Sequence, residues 1–237
     1  MTTSVLLRLE GPLQAWGTRS RFPERDTENE PSKSGALGLV GAALGMPRDD
    51  VELLGQIAAC KMAVRVDREG TLLRDYHTAG GGTFRGAPHG VFEAKGTVLT
   101  SRHYLQGASF LVALGYEDAS LAARIDDALG SPTWPLALGR RACPPSLPVR
   151  AGIVAGPPED ALRRTLWPAS IPPREPVRLV IECDPGEPGA EPRQDQPLSF
   201  RLHDRHYARR FVRTVFLAPS ALTLSPEEAP CISLVAF

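Results

Sequence analysis

The segment Ser34-Gly-Ala-Leu-Gly-Leu-Val-Gly-Ala-Ala-Leu-Gly45 predicts an apolar helix despite its four glycines. Ser32 or Ser34 can cap the N-terminus of this helix, and Gly45 predicts its C-terminal end. A glycine inside a helix costs up to about 1 kcal/mol relative to alanine. The stripe made by Gly38, Gly41 and Gly45 therefore needs a compensating contact, and we expect this side of the helix to lie very close to a sheet.

Alternating apolar residues predict strands on both sides of this helix. Ser4–Leu9 is the first strand, and Met62–Val66 is the second, after a short helix that Asp49 can cap. A strand over Ser109–Leu114 and a helix over Ser120–Leu129 follow, and a fourth strand near Val149–Val154 would complete the series. This βαββαβ order predicts an α+β fold of the ferredoxin-like class, which includes RNA-recognition motifs.

Two segments depart from this pattern. Residues 70–103 are rich in Gly and Thr and predict a protruding hairpin or loop, a length at which loops usually carry function or lack fixed structure. After a linker at Pro168–Pro176, strands are expected at Val177–Cys183 and Phe211–Leu217, separated by an acidic loop at Asp184–Pro197 to which we assign no role. We therefore expect a ferredoxin-like domain over 1–155, with the hairpin at about 70–104, and a smaller strand-rich C-terminal portion over 156–237.

The composition excludes several classes of protein. Equal numbers of basic and acidic residues, 27 each, and a hydrophobic fraction of 42% are typical of a folded chain and exclude a disordered polyelectrolyte. No apolar run approaches the roughly 18–20 residues of a membrane span. We expect no signal peptide, because Met1–Ser4 leads straight into a strand pattern without a basic region or cleavage site. Four cysteines without metal-ligand spacing predict buried or incidental thiols in a reducing cytosol, namely Cys60, Cys143, Cys183 and Cys231.

Arginine dominates the basic residues. Only three of the 27 are lysines, so 24 are arginines, whose planar donors suit phosphates and stack on bases. A GC-rich genome also raises arginine content, so position is more informative than number. Arg19, Arg21 and Arg25 cluster near the start of the chain. Residues 201–213 include five arginines, whereas acidic residues collect at 182–195. This separation of charge permits a basic face for a polyanion.

Two motifs near the N-terminus can contact RNA. Backbone N–H groups at the start of the glycine-rich helix, with Lys33 and Ser34, can hold one phosphate, although a capped helix and a solvated lysine are the simpler interpretation. Gln14 offers a donor and an acceptor to a base edge, and Trp16 is either a stacking surface or a packing anchor.

The hairpin region carries a second group. Tyr76 and His77 can be a general acid–base pair, and with Tyr104 and Lys33 they can form a metal-free ribonuclease site in which His77 removes the 2′-OH proton. Polar hairpin residues without chemistry are the alternative. Arg102 and Tyr104, where the hairpin returns to the sheet, suit phosphate contact and base stacking, or else a cross-strand aromatic pair.

The last group is arginine-rich. Arg140 and Arg141 are adjacent on an extended segment and point to opposite faces, so one can reach a ligand while the other braces the protein, unless both form surface ion pairs of little energy. The segment 200–213 is either a solvated strand face or a surface for nucleic acid or an acidic partner. We favour the latter because its five arginines and two histidines would repel one another without a polyanion.

Five motifs in this order resemble the CasD family, the subunits of type I-E CRISPR Cascade complexes that hold the 5′ handle of crRNA. They are Gly11-Pro-Leu-Gln-Ala-Trp-Gly17, Lys33–Gly45, Arg74-Asp-Tyr-His-Thr78, Tyr104-Leu-Gln-Gly-Ala-Ser-Phe110 and Leu138-Gly-Arg-Arg-Ala-Cys-Pro144. The resemblance implies a RAMP (repeat-associated mysterious protein) fold with a protruding thumb hairpin. It also implies a subunit that grips the handle, caps the backbone filament and contacts the large subunit without cutting RNA. Relatives in another subtype cut RNA with Tyr, Lys and His side chains.

Three hypotheses follow. The first is a cytoplasmic, non-catalytic RNA-binding subunit without cofactor or metal, whose partners are crRNA, the backbone and large Cascade subunits and, indirectly, target DNA. The second is a metal-independent endoribonuclease that processes pre-crRNA, and the third is a structural module without RNA contact. The predicted RNA-contacting residues are Gln14, Trp16, Arg19, Lys33, Ser34, Arg74, Tyr76, His77, Arg102, Tyr104, Arg140, Arg141, Arg205, His206, Arg209 and Arg210.

Overall fold

The structure is a computed structural model that describes residues 1–18, 24–80, 83–87, 90–93, 97–168, 171 and 176–222. Four helices are present in the described part: α1 (Lys33–Leu44), α2 (Val51–Ala58), α3 (Ala119–Gly130) and α4 (Pro158–Arg164), with a 3₁₀ turn at Pro219–Ala221. The strands are β1 (Thr3–Glu10), β2 (Leu13–Gln14), β3 (Glu24–Arg25), β4 (Lys61–Arg68), β5 (Thr71–Gly80), β6 (Thr83–Ala87), β7 (Gly90–Glu93), β8 (Thr97–Gln106), β9 (Ser109–Tyr116), β10 (Arg150–Ala155), β11 (Val177–Cys183), β12 (Glu191–Arg201) and β13 (Asp204–Leu217).

Seven strands form one antiparallel sheet in the order β10-β1-β9-β4-β11-β13-β12. The six elements predicted for the N-terminal part are all present, as β1, α1, β4, β9, α3 and β10. Ser32 caps α1 as predicted, and Gly45 ends it in the left-handed conformation. The cap of α2 is Asp50, whose carboxylate accepts from the Leu53 N–H, and not the predicted Asp49.

Apolar residues cover both faces of this sheet. Val5, Leu7 and Leu9 of β1 belong to the larger core cluster, under α1, α2 and α3. Leu6 points to the other face and packs in a second cluster with α4 and Trp167. Central strands that are buried on both faces read as continuous apolar runs, which is why every residue of β9 is buried.

The C-terminal strands continue the same sheet, because β11 hydrogen-bonds to β4. The division into 1–155 and 156–237 stays a prediction, and the pairing of β11 with β4 joins the two portions in one sheet. The predicted loop at Asp184–Pro197 is wrong in its second half, where β12 pairs with β13. Two register shifts in β12 accompany its prolines, and a strand at the edge of a sheet tolerates proline because one side of it needs no hydrogen bonds.

A second sheet is built on the segment predicted as a hairpin or loop. β5 and β8 pair antiparallel from Thr71↔Gln106 to Gly80↔Thr97, and β2 and β3 add to β8. β6 and β7 pair with each other between them. β5 and β8 therefore form a long antiparallel ladder whose base is held by short strands from the N-terminal segment.

Cys60, Cys143 and Cys183 are buried free thiols, as predicted, and burial raises the pKa of each. Cys231 lies outside the described residues, as does most of the predicted linker at Pro168–Pro176. None of the described helices is both long enough and apolar enough to cross a membrane.

Candidate functional site

A groove of about 670 Å³ runs along one side of α1. Its floor is the α1 backbone at three glycines, and its walls come from the segment 134–141 and from the β12–β13 hairpin. Asp26 is the one acidic residue among the described residues that line it. We call this feature the basic groove because five arginines line it, namely Arg25, Arg48, Arg140, Arg141 and Arg205.

The glycines of α1 face this groove, so the predicted close contact with a sheet is wrong. A Cβ on Gly35 would lie 2.8 Å from the Trp16 ring, and one on Gly41 would lie 2.7 Å from Cε of Met46. These two glycines make room for neighbouring side chains. Gly38 is exposed, and a Cβ there would meet no heavy atom within 4 Å. The helix backbone at Gly38 is therefore open to a ligand in the groove.

Arg140 braces the groove and Arg141 is free to act in it. The Arg140 guanidinium donates to the carbonyl oxygens of His103, Arg25 and Asp26 at 3.0, 2.9 and 2.9 Å. It also lies 4.6 Å from the centre of the Tyr104 ring, a cation–π contact. Arg141 is exposed and makes no hydrogen bond or ion pair within the described part of the chain. The two arginines divide their roles as predicted, but the predicted extended segment is wrong: they lie in a turn in which the Cys143 N–H donates to the Arg140 carbonyl at 2.8 Å.

The connecting turn also fixes this division. Gly139 has a φ of +86°, and a Cβ on it would lie 1.7 Å from the Ala15 carbonyl oxygen. Ala15 N–H in turn donates to the Leu138 carbonyl at 3.0 Å. The turn that presents the arginine pair is thus pressed against the loop after β1, at a position where only glycine fits.

Gln14 and Trp16 have structural partners rather than an exposed surface, which corrects their prediction as base contacts. The Gln14 amide donates to the carbonyls of Leu9 and Ala108 at 3.0 and 2.9 Å. Its oxygen accepts from Nε1 of Trp16 at 3.0 Å. Both side chains are buried, so the packing interpretation of Trp16 is the correct one.

A buried ionic network occupies the start of α1, which corrects the predictions for Lys33 and Arg210. Lys33 Nζ donates to the Cys60 carbonyl at 2.6 Å and to both Glu182 carboxylate oxygens at 3.0 Å. The Asp195 carboxylate accepts from the Lys33 backbone N–H at 2.7 Å and from the Arg210 guanidinium at 2.6 and 2.9 Å. The helix N-terminus thus already holds an internal anion, in place of the predicted phosphate.

The predicted ribonuclease residues do not face one another across an open site. Lys33 is buried in the network just described, and Tyr104 is buried beneath Arg140. Tyr76 and His77 are neighbours on β5, so their side chains point to opposite faces. Tyr76 is exposed on the outer face near Arg74, which donates to Ser101 Oγ at 3.0 Å.

The inner face of the hairpin carries two unpaired polar atoms. His77 and Arg102 are half-buried, and neither Nδ1 of His77 nor Nε of Arg102 has a hydrogen-bond partner among the described residues. Buried polar atoms without partners are uncommon. These two atoms leave hydrogen-bonding capacity midway along the β5–β8 ladder.

The remaining predicted contacts are spread around the groove. Ser34, which is half-buried, and Arg205, which is exposed, both line the groove. His206 and Arg209 are exposed on β13 but do not line it. Arg19 lies outside the described residues. Sequence reasoning missed Arg48, Trp134 and Tyr207, which also line the groove. Trp134 had a usable signal, since it lies between two prolines just before the Leu-Gly-Arg-Arg motif.

No group of three or more His, Cys, Asp or Glu side chains able to hold a metal is present among the described residues. The basic groove itself offers guanidinium groups, aromatic rings and an open helix backbone.

Three comparisons with known proteins give consistent matches. The family model described as "CRISPR-associated protein (Cas_Cas5)" matches residues 4–213. A relative from Escherichia coli (strain K12), the CRISPR system Cascade subunit CasD, is 37% identical over 176 residues, which are 68% of this chain and 76% of the relative.

Two solved structures share this fold. A chain of a CRISPR RNA-guided surveillance complex has a TM-score of 0.75 at 37% identity, with 95% of each chain covered. A crystal structure of a Cas protein has a TM-score of 0.71 at 35% identity and covers 94% of this chain and 100% of the other. The resemblance inferred from the five motifs is confirmed: this chain belongs to the Cas5 family of CRISPR-associated proteins.

Proposed function

We propose that this chain is a cytoplasmic, non-catalytic subunit of a type I-E CRISPR interference complex, and that it grips the 5′ handle of crRNA in the basic groove. In the complex it caps the backbone filament and contacts the large subunit, so target DNA is an indirect partner. Two relatives support the assignment, since one is named a Cascade subunit and the other belongs to an RNA-guided surveillance complex.

The observation that carries the proposal is the lining of the basic groove. Four exposed arginines, Arg25, Arg48, Arg141 and Arg205, surround the open helix backbone at Gly38. Guanidinium groups and free surface along a backbone favour the phosphates of a nucleic acid. A groove of this kind holds a single strand better than a duplex, because its aromatic wall can meet unpaired bases.

The proposal extends to the fold. We take β1, α1, β4, β9, α3 and β10 as a ferredoxin-like RAMP unit, and the β5–β8 hairpin as its thumb. Arg140 connects the groove to the base of that hairpin through the His103 carbonyl and the Tyr104 ring. Arg74, Tyr76, His77 and Arg102 on the hairpin, with His206 and Arg209 on β13, are the further proposed RNA contacts.

The test is the salt dependence of RNA binding. The full chain is titrated with single-stranded RNA that carries the repeat-derived 5′ handle, at several salt concentrations. Replacing Arg141 by alanine should weaken binding by about tenfold, or about 1.4 kcal/mol. It should also reduce the slope of log affinity against log salt by about 0.7, the value for one single-strand phosphate contact.

Arg124→Ala is the matched control. Arg124 is an exposed arginine on α3, outside the groove lining and without a partner in the described chain. Its removal should leave both affinity and slope unchanged. Equal effects of the two variants would contradict a site in the groove. RNA cleavage in EDTA that is lost in His77→Ala would instead support the endoribonuclease, and salt-independent assembly without RNA binding would support a structural module.

A further inference from the structure

The three tryptophans of this chain have different environments. Trp16 and Trp167 are buried, and their indole N–H groups donate to Gln14 Oε1 and to the Ile171 carbonyl. Trp134 is 45% exposed in the wall of the basic groove, and its indole N–H has no partner among the described residues. The large aromatic surface of Trp134 is thus left partly in contact with water in the groove.

The backbone beneath this side chain is firmly held. The N–H groups of Thr133 and Trp134 donate to the carbonyls of Ala43 and Ala42 at 3.0 and 3.2 Å, which satisfies two carbonyls of the last turn of α1. The sequence there is Ser131-Pro-Thr-Trp-Pro135. Each proline fixes its own φ, and Pro135 also restricts the conformation of Trp134 before it. Because the backbone is already ordered, little entropy remains to be lost when a ligand contacts the indole.

The surroundings of Trp134 specify a ligand with two properties. Arg141 and Arg205 in the same groove require a negatively charged ligand, and Gly38 leaves space for its backbone along α1. The exposed indole requires a flat, apolar face on the same ligand. A single nucleic-acid strand combines a charged backbone with flat bases. An acidic peptide supplies the charge but seldom the repeated flat faces.

We infer that Trp134 is a base-stacking residue: one unpaired base of the bound RNA lies on its indole while neighbouring phosphates contact the arginines of the groove. This inference rests on the proposed function and adds to it a residue that fixes where the strand lies. Stacking of one base on an aromatic side chain contributes about 1–3 kcal/mol. The stack involves no phosphate, so it contributes nothing to the salt dependence of binding.

The experiment separates stacking from charge. In the full chain, Trp134→Ala should weaken binding of the single-stranded handle RNA by roughly 5- to 150-fold, with the salt slope unchanged. Trp134→Phe should restore most of the affinity, because a phenyl ring also stacks. Phe216→Ala is the matched control, since Phe216 is an exposed aromatic residue outside the groove lining, and this variant should bind as the natural sequence does.

Two further measurements locate the base. Added RNA should quench the tryptophan fluorescence of the natural sequence but not of Trp134→Phe, since the other two indoles are buried. Abasic substitutions along the RNA should include one position that weakens binding to the natural sequence and has no effect on Trp134→Ala.

These measurements distinguish failure of the stacking inference from failure of the proposed RNA binding. Salt-dependent RNA binding that is unchanged in Trp134→Ala overturns the inference and leaves the proposed function standing. Trp134→Ala that binds RNA normally but fails to assemble with its protein partners places a protein on the indole and also overturns it. Absence of salt-dependent RNA binding by the natural sequence overturns both.

Discussion

Arg140 and Arg141 are adjacent residues for which we predict different effects on stability. The guanidinium of Arg140 donates to three backbone carbonyls and lies over Tyr104. Hydrogen bonds to charged groups contribute about 1.5–3 kcal/mol each when buried, and less when partly exposed. Arg140→Ala should therefore lower the free energy of unfolding by about 2–4 kcal/mol, measured by urea denaturation.

Arg141→Ala is the control for this prediction, because the chemical change is identical and Arg141 contacts no described residue through a hydrogen bond or ion pair. It should alter the free energy of unfolding by less than about 0.5 kcal/mol. Arg140→Lys should recover little stability, since one ammonium cannot reach carbonyls on two separate segments in the same geometry. Equal stability of the two alanine variants would show that Arg140 is not a brace.

At the scale of the residue, the sequence identified side chains of suitable chemistry but did not predict which of them are buried. Gln14, Trp16 and Lys33 stood out because their chemistry suits RNA, yet all three are buried. Their partners are distant in sequence: Ala108 for Gln14, and Glu182 for Lys33. A single sequence carries no information on such long-range pairing. The sequence predicted different roles for the arginine pair, but not the partners of Arg140, which include the carbonyls of His103 and Arg25, 37 and 115 residues away.

At the scale of the element, α1 and α2 offer a matched pair of glycines. Gly38 and Gly55 are both exposed helix residues, and a Cβ added to either would have no heavy atom within 4 Å. Glycine is less favourable than leucine in a helix by up to about 1 kcal/mol. Gly38→Leu and Gly55→Leu should each raise the free energy of unfolding by about 0.5–1 kcal/mol, measured by urea denaturation.

Their effects on RNA binding should differ. The side chain of Gly38→Leu would enter the basic groove where we place the RNA backbone, whereas Gly55 on α2 is not part of its lining. We expect Gly38→Leu to weaken binding of the handle RNA by at least tenfold and Gly55→Leu to leave it unchanged, as measured by titration. Normal RNA affinity of a stabilised Gly38→Leu would place the RNA elsewhere on the molecule.

The elements themselves were predictable where local pattern decides them. Strand alternation and capping residues placed β1, α1, β4, β9, α3 and β10 correctly. The side of α1 that faces the sheet was not predictable, because glycine stripes can admit a neighbouring sheet or a ligand equally well. β12 was missed because Pro192, Asp195 and Pro197 are typical of a loop. The acidic residue is buried there against Arg210, and the prolines lie on an edge strand.

At the scale of the whole molecule, one ionic network joins the N-terminal and C-terminal parts of the chain. Lys33 belongs to α1, while Glu182, Asp195 and Arg210 lie on β11, β12 and β13. Burial opposes the charge on Arg210, but its hydrogen bonds to Asp195 and the nearby Glu182 carboxylate raise its pKa above the usual value. Arg210 therefore stays ionised, and it shares the carboxylates of Glu182 and Asp195 with Lys33 inside the protein.

Lys33→Ala tests how far this network holds the molecule together. It would leave the Glu182 carboxylate partly uncompensated inside the protein, and loss of one partner from a buried ion pair costs about 3–5 kcal/mol. Lys61→Ala is the control: Lys61 also pairs with an acid of the C-terminal portion, Asp184 at 3.3 Å, but both side chains are largely exposed. An exposed pair contributes about 0–1 kcal/mol, and salt screens it.

We expect urea denaturation of Lys33→Ala to show one cooperative transition, shifted by the full loss of stability, with tryptophan fluorescence and circular dichroism changing together. The physical reason is that β4 and β11 hydrogen-bond within one sheet, so the C-terminal strands cannot unfold without exposing the core beneath β4. Two separate transitions would contradict this expectation and would favour the division into portions 1–155 and 156–237. Equal stability of the Lys33 and Lys61 variants would show that the buried charges contribute no more than a surface pair.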